Sequence, residues 1–207
     1  EIEQPARMTI GDLPVDEFIE ELRFVHINED PASAYDLLDH DDAVLVGEPE
    51  RLQGILTAMD VLRRLYNLAS PFVLLAEIEL TLRNLIGVCV DQGGLAECVK
   101  TSLANKYQDD QMPSKLQEMT FDDYVQVVGD GRNWPRFEEV FGSGDWKRKR
   151  TRTKLEEVRD VRNDAFHFKR ALTKQDLDVL LAHRDWLFMT ARKMEARREG
   201  GGNDGRH

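Results

Sequence analysis

Cysteine is scarce in this chain of 207 residues, which holds only Cys89 and Cys98. Two cysteines are too few for the disulfide framework of a small secreted domain. Long apolar runs are also missing, because none approaches the roughly 18 residues that a membrane helix needs. The first residues, Glu1 to Gln4, lack the basic and apolar regions of a secretory signal. We therefore expect buried free thiols, a cytoplasmic location and no membrane partner.

Positive charge is almost missing from the first third of the chain. Residues 1–70 carry 5 Lys and Arg against 16 Asp and Glu, whereas residues 71–207 carry 23 of each kind. This asymmetry predicts a domain boundary near Ser70-Pro71, with a first domain over 1–70 and a second over 71–198. The Gly-rich polar residues 199–207 predict a disordered tail.

Basic residues are concentrated in one part of the second domain. Residues 146–170 hold 10 basic and 4 acidic residues, although the whole chain has a net charge of −11. Screening keeps electrostatic contacts local, so this patch can bind nucleic acid on an otherwise acidic protein. The acidic first domain argues against general coating of DNA, and no DNA partner is expected. The alternative for the basic run is a solvated helix start.

The first domain combines short strands with helices. Apolar runs, helix starts and turn residues predict the order strand, helix, strand, strand, helix over 24–27, 32–38, 42–46, 52–56 and 57–66. Asn28 to Pro31 is typical of a helix start, and Gly47 to Glu50 of a turn. His26 and His40 have no partners at metal-ligand spacing, so no metal site is expected.

The segment Gly54-Ile55-Leu56-Thr57-Ala58-Met59-Asp60 joins the last strand to the helix. Its glycine, apolar pair, hydroxyl residue and acid resemble the motif of CBS domains, and the resemblance covers roughly residues 8–66. It implies an adenine nucleotide as a regulatory ligand. By this resemblance Gly54 allows close approach of the backbone, Thr57 contacts phosphate or ribose, and Asp60 binds the ribose hydroxyls. The alternative is structural, because Thr57 and Asp60 also suit a helix N-cap with a capping box.

A CBS repeat normally acts as one of a pair, and this chain contains one. A single repeat completes the paired unit only by associating with another chain. We therefore expect a homodimer.

The second domain reads as helical from Pro71 onward. Apolar spacing predicts helices over 72–90, 95–107, 153–167 and 174–198, with loops at 129–135 and 142–145. Thr120 has the character of an N-cap. The aromatic residues Trp134, Phe137 and Phe141 are expected to pack rather than to stack on bases.

The helix over 153–167 ends in Arg162-Asn163-Asp164-Ala165-Phe166-His167. Its apolar residues Leu155, Val158 and Val161 are spaced as on a one-sided amphipathic helix. By that period Arg162 is partly buried, while His167 faces away from the core of its own domain. An imidazole moves protons near neutral pH, and a guanidinium holds phosphate through paired hydrogen bonds.

This spacing of Arg and His resembles the R-x-x-x-x-H signature of HEPN ribonucleases, and the resemblance spans about residues 72–195. Glu79 and Arg83 lie in an E-x-x-L-R pattern, which resembles the helix that opens such domains. That resemblance places both beside the catalytic Arg as supporting residues. The simpler interpretation is an ion pair four residues apart on one helix.

The combined resemblance implies an α+β protein, with a small α/β CBS module followed by an all-α HEPN-like bundle. It implies a metal-independent endoribonuclease, of the kind found in toxins and antiviral defence, regulated by an adenine nucleotide. His167 would be the general acid or base, Arg162 would stabilise the phosphorane, and Asn163 would orient either group. The basic residues that would guide the RNA backbone are Lys147, Arg148, Lys149, Arg150 and Arg152.

The chemistry implied by the resemblance leaves a 2′,3′-cyclic phosphate on the RNA and requires no cofactor. The alternative class is a non-catalytic nucleotide sensor, or an RNA- or partner-binding module, on a degenerate HEPN scaffold. In that interpretation Arg162 pairs with an acid such as Glu79 or Asp164, and His167 only ends a helix.

Overall fold

The computed structural model describes residues 22–201. The part of the CBS resemblance that precedes residue 22 and the tail predicted over 202–207 lie outside the described residues. The chain divides into two compact units, with the division between Leu68 and Ala69. Helices predominate, and one small three-stranded sheet accompanies them, so the protein belongs to the α+β class.

The first unit contains the sheet. Its elements are β1 (Phe24–Val25), α1 (Pro31–Leu38), β2 (Ala43–Glu48), β3 (Arg51–Thr57) and the start of α2 (Ala58–Cys89). The strands lie in the order β1-β2-β3, with β1 parallel and β3 antiparallel to β2. This is the order of strands and helices that the sequence predicts.

Local chemistry accounts for these elements. Asp30 caps α1 by accepting a hydrogen bond from the backbone N–H of Ala32, and Pro31 occupies the first helical turn. Val44, from β2, is fully buried beside Val25 and Ala34 in a small core. Among the described residues of this unit, the core therefore consists of few buried side chains.

The helix α2 is one element where the sequence predicts two. Pro71 lies inside it, whereas the sequence predicts that one helix ends at Tyr66 and that another begins at Phe72. A proline inside a helix removes one helical hydrogen bond and crowds the carbonyl four residues before it, at a cost of about 3 kcal/mol that packing must offset. Pro71 and the residues of the following turns are buried, and this packing stabilises the helix across the proline.

The second unit is helical. After α2 come α3 (Gln92–Leu103), α4 (Phe121–Gly129), α5 (Glu138–Phe141), α6 (Asp145–Phe166) and α7 (Lys174–Gly201). The helix α4 packs against α3 and α6, and α6 packs against α7. Thr120 caps α4 in a capping box with Asp123, as its sequence predicts. Large buried side chains of this core include Ile78, Leu82, Phe121, Tyr124, Phe137 and Leu155.

The helix α6 begins eight residues before the predicted Thr153, at Asp145. The glycines before it, Gly142 and Gly144, have positive φ angles and form the predicted loop. The basic run therefore lies within the helix. The predicted apolar face of Leu155, Val158, Val161 and Ala165 is buried.

The last helix runs beyond its predicted end at Arg198 to Gly201. The helix therefore includes the first three residues of the tail predicted over 199–207. Within the described residues, no helix is both long and apolar enough to span a membrane. Cys98 is buried and Cys89 half-buried, both as free thiols, and burial raises the pKa of Cys89 to about 12.

Candidate functional site

The Arg-His motif occupies the last turn of α6. Arg162 and Asn163 are half-buried, and His167 is exposed at the C-cap, where its backbone N–H bonds to the carbonyl of Asn163. The helix is held in place by its buried face, and the motif side chains lie beside that face. The predicted partial burial of Arg162 and the outward position of His167 are both confirmed.

Arg162 is held loosely by its neighbours. Its Cζ lies 4.9 Å from the centre of the Phe166 ring, and its Nε lies 3.8 Å from Oε2 of Glu79. That second distance allows attraction between the charges but is too long for a hydrogen bond. The Nε is buried and has no hydrogen-bond partner among the described residues. Packing and charge therefore orient the guanidinium, and its N–H groups donate no hydrogen bond to a described residue.

Glu79 is shared between two guanidinium groups. It forms an ion pair with Arg83, four residues on in α2. The Nε of Arg83 donates to the Tyr124 hydroxyl at 2.7 Å, and that hydroxyl donates to the carbonyl of Leu116. Burial raises the pKa of Tyr124, although Arg83 opposes this effect. The network fixes the carboxylate that faces Arg162.

A cavity of about 280 Å³ opens beside this network. Phe72 and Phe166 form part of its wall, with their rings edge to face at 5.4 Å. Its other lining residues are Leu75, Ala76, Glu79, Leu80 and Arg83. The cavity is apolar on most sides and has a charged wall close to Arg162.

The turn after the motif is fixed by a chain of charges. Arg170 pairs with Asp164 at 2.9 Å and with Asp176 at 2.6 Å, which links the end of α6 to the start of α7. Asp176 also accepts from the backbone and hydroxyl of Thr173, both at 2.7 Å. Phe168, with a φ of 50°, lies in the left-handed region within this turn. His167 therefore lies at the start of a turn that these ion pairs and hydrogen bonds hold in place.

The structure separates the predicted partners of Arg162. Glu79 lies beside it, whereas Asp164 is bound by Arg170. Among the described residues, the side chains of Asn163 and His167 make no hydrogen bond or ion pair, and no hydrogen bond joins the imidazole to Arg162. One copy of the chain thus places the motif residues on one helix end without a hydrogen bond between their functional groups.

The basic residues of α6 fall into two sets. The predicted RNA-guiding residues Arg148, Lys149 and Arg152 form ion pairs with carboxylates of the same helix, on Asp145 or Glu156. Lys147 and Arg150 form no ion pair with a described carboxylate. Of the five predicted residues, these two keep their charge available to a ligand.

Two residues to which the sequence assigned no role lie beside Lys147 and Arg150. Lys154 forms no ion pair with a described carboxylate, and Trp146 is 62% exposed despite its large apolar ring. The sequence does show a tryptophan directly before a basic run, and this pattern could have indicated the site. Trp134 and Phe137 are buried, and Phe141 is half-buried and stacks on Trp134, consistent with the predicted packing role.

The CBS-like motif forms a helix cap. The Thr57 hydroxyl donates to Oδ2 of Asp60 at 2.6 Å, and the backbone N–H of Asp60 donates to the Thr57 hydroxyl at 3.3 Å. The hydrogen bonds that Oδ2 of Asp60 accepts from the hydroxyl and from the backbone N–H of Thr57 lower the pKa of Asp60, and Arg63 adds to the effect. Oδ1 of Asp60 lies 3.5 Å from Nη1 of Arg63. Nothing lies within 4 Å of the position that a Cβ of Gly54 would take.

Comparison with protein-family models, with curated proteins and with solved structures found no match for this chain. Within the described part of the chain, no three His, Cys, Asp or Glu side chains are placed to hold a metal ion. The resemblances to the CBS and HEPN families therefore rest on the motif residues and on the order of the elements around them.

Proposed function

We propose that the chain is an endoribonuclease that cuts RNA without a metal, using Arg162, Asn163 and His167. One observation carries the proposal. Among the described residues these three side chains make no hydrogen bond, while the polar groups around them are engaged in the networks of Glu79 and Arg170. The hydrogen-bonding groups of the motif are therefore available to a ligand, and the surrounding ion pairs and hydrogen bonds hold the motif in place.

The reaction follows from the groups available. The ribose 2′-hydroxyl loses its proton and attacks the adjacent phosphorus, and the bond from phosphorus to the 5′-oxygen breaks. The departing oxygen takes up a proton, so the products are a 2′,3′-cyclic phosphate and a 5′-hydroxyl. Arg162 stabilises the negative charge of the phosphorane, Asn163 orients the phosphate or the imidazole, and His167 transfers a proton.

The reaction needs both a base and an acid, and each chain supplies one motif imidazole. A symmetric pair of chains would supply two, which is one reason to propose a homodimer. The first unit gives a second reason, because its described residues form a small core while seven of its apolar side chains in β3 and α2 remain more than half exposed. They are Leu52, Ile55, Met59, Leu62, Leu65, Tyr66 and Leu68. Such a surface is typical of an interface.

We further propose that an adenine nucleotide bound at Gly54, Thr57 and Asp60 regulates this activity. The open space at Gly54 leaves room for a phosphate against the backbone. Oδ1 of Asp60, which makes no hydrogen bond among the described residues, is the oxygen that would accept from a ribose hydroxyl. The cap formed by Oδ2 stays intact in this arrangement.

The test is cleavage of single-stranded RNA by the purified chain in EDTA. His167→Ala should lower the rate by about 10²–10⁴-fold, because a proton-transfer group is lost. Arg162→Ala should lower it by about 10²–10³-fold, because a charge-stabilising group is lost. The double variant should be little worse than either, since groups that act as a unit are not additive. An RNA with a 2′-deoxy sugar at the cut should resist.

The matched control is Lys169→Ala, which removes an exposed cation two residues after the motif imidazole and should leave the rate unchanged. Cleavage by His167→Ala at the wild-type rate, or activity that requires Mg²⁺, would show that the motif is not the active site. Binding of RNA or nucleotide without any cleavage would favour the alternative, a non-catalytic sensor or binding module. The ion pair of Arg162 with Glu79 is the observation that favours this alternative.

A further inference from the structure

One face of α6 carries three cations that form no ion pair with any described carboxylate. Lys147, Arg150 and Lys154 follow one another at intervals of three and four residues, so they are neighbours on the helix surface. Among the described residues none of them pairs with a carboxylate, whereas Lys149 and Arg152 of the same helix do. The charge of this face is therefore not neutralised by the protein.

An exposed aromatic ring stands at the start of this face. Trp146 is 62% exposed, and the charged groups of Lys147 and Arg150 lie 5.0 and 5.2 Å from the centre of its ring. Exposing the apolar indole ring of Trp146 to water is unfavourable. The ring is therefore suited to stack against a flat aromatic ring of a ligand. Nucleobases have such rings.

A cavity of about 200 Å³ continues the face toward α7. Lys154 lies over the ring of Trp186, with its Nζ 4.2 Å from the ring centre. The cavity is lined by Phe141, Lys147, Arg150, Thr151, Lys154 and Trp186. Burial and the charges of Arg150 and Lys147 lower the pKa of Lys154, although Glu157 opposes them. An anion in this cavity would offset the repulsion among the three cations.

We propose that this cationic cleft, formed by Trp146, Lys147, Arg150, Lys154 and Trp186, binds a nucleotide unit of single-stranded RNA. The three cations bind the phosphate, and the base stacks on Trp146. A base in a duplex is covered by its neighbours, so the cleft selects unpaired RNA. The identity of the ligand as RNA rests on the function proposed above.

The cleft is remote from the proposed catalytic motif. Lys154 precedes Arg162 by eight residues and His167 by thirteen, which is about 12 and 20 Å along the helix axis at 1.5 Å a residue. The cleft therefore does not contact the phosphate that is cut. It positions the RNA strand, and its loss should raise KM without lowering kcat.

Binding is measured by polarisation of a short fluorescein-labelled single-stranded RNA, on chains that carry His167→Ala so that the RNA stays whole. Adding Trp146→Ala should weaken binding by about 5–100-fold, the range for loss of one stacked base. Adding Arg150→Gln and Lys154→Gln should weaken it and lower the slope of log affinity against log salt by about 1.4, the value for two phosphate contacts to a single strand.

The matched control adds Lys149→Gln and Arg152→Gln, which remove the same two charges from the same helix at carboxylate-paired positions. Its affinity should stay within about twofold, because those cations are already neutralised. Equal losses in the two double variants would show a general charge effect and overturn the cleft. Trp146→Ala binding as tightly as the parent would overturn it as well, and circular dichroism checks that each variant is folded.

Three further ligands identify the source of the nucleotide unit. Duplex RNA of the same sequence and free UMP, which lacks the adenine expected at Gly54 and Asp60, should displace the labelled strand more weakly than the unlabelled single strand does, and inorganic phosphate should compete only at high concentration. UMP displacing the strand as effectively as the unlabelled strand does would overturn the assignment to RNA. The two proposals can be disproved separately. If the chain cleaves RNA and Trp146→Ala does not weaken RNA binding, only the proposed cleft is contradicted. If RNA binding depends on the cleft but the chain cleaves no RNA, only the proposed ribonuclease activity is contradicted.

Discussion

At the scale of single residues, the available partners decide what each charge does. Asp164 lies in the motif but is bound by Arg170, while Glu79, far away in sequence, faces Arg162. Arg150 is free of described carboxylates, although its helix neighbour Arg152 is paired with Glu156. Residue type alone therefore does not separate a structural cation from one that can bind a ligand.

Asp176 makes stability depend on pH. Arg170 and the hydrogen bonds from Thr173 hold the pKa of its carboxyl well below the unfolded value of about 3.9. Its contribution is fully present above that unfolded value and is lost as the pH falls toward the lower folded pKa. We expect the melting temperature to fall below about pH 4, and Asp176→Asn to show a smaller fall over the same range. Thermal unfolding followed by circular dichroism at a series of pH values measures this, and equal curves for both chains would contradict it.

Asp60 is the residue that tests nucleotide binding. A site filled at about 100 times its dissociation constant adds about 2.7 kcal/mol to the unfolding free energy. We expect AMP or ATP to raise the melting temperature of the wild type, and Asp60→Ala to abolish that increase. Because Asp60→Ala also removes a helix cap, Asp30→Ala is the matched control, since Asp30 caps α1 in the same unit. The control should melt lower but keep its response to nucleotide.

If no adenine nucleotide shifts the wild-type melting curve, the Thr57 and Asp60 pair is only a cap. A nucleotide response lost equally in Asp30→Ala and Asp60→Ala would also contradict the proposed site, because it would report weakened folding rather than lost binding.

At the scale of elements, the hairpin of β2 and β3 contains two glycines with different roles. Gly47 has a φ of +127°, and a Cβ there would lie 2.5 Å from the carbonyl oxygen of Arg51. Gly54 has open space at the same position and pairs with Val46 across the ladder. The first glycine is required by the turn, and the second is not required by the fold.

We therefore expect Gly47→Ala to destabilise the chain by at least about 1 kcal/mol, the cost of a left-handed backbone with a clashing side chain. Gly54→Ala should leave the unfolding free energy nearly unchanged, yet it should abolish the nucleotide response if the backbone at Gly54 approaches the ligand. Urea unfolding gives the stabilities, and the melting shift gives the binding. A full nucleotide response in Gly54→Ala would remove Gly54 from the site.

The helix α6 is the element that carries both proposed sites. Its first half presents the cationic cleft, its second half the Arg-His motif, and its buried face anchors both to the core. A long helix with one buried face keeps two sites at a fixed spacing, which a flexible segment would not do.

At the scale of the whole molecule, the expected assembly is a dimer through the exposed apolar residues of the first unit. Met59, Leu62 and Tyr66 share one face of α2 by their spacing and are each more than half exposed. Light scattering should give twice the chain mass of 23.8 kDa. Leu62→Glu with Leu65→Glu should give a folded monomer that cuts RNA poorly, because it lacks the second imidazole.

The control for that variant is Ile27→Glu, which places a charge at another exposed apolar residue of the same unit, outside α2 and β3. It should remain dimeric and active. A wild-type particle of one chain mass at working concentration would contradict the shared site, and a monomeric variant that cuts RNA at the full rate would contradict the need for two imidazoles.

The sequence by itself determined the mixed class of the fold, the order of elements in the first unit, the helix start over Asn28 to Pro31, the cap residue Thr120, and the buried face of α6. These features depend on local propensity and on apolar period, which neighbouring residues carry. Only the tertiary structure decided that α2 continues through Pro71 and that Glu79 rather than Asp164 faces Arg162. It also decided that Lys147, Arg150 and Lys154 lie beside Trp146 and Trp186 and form no ion pair with a described carboxylate. These outcomes depend on contacts between residues far apart in the chain, and on competition among several acids for each cation, which no local pattern encodes.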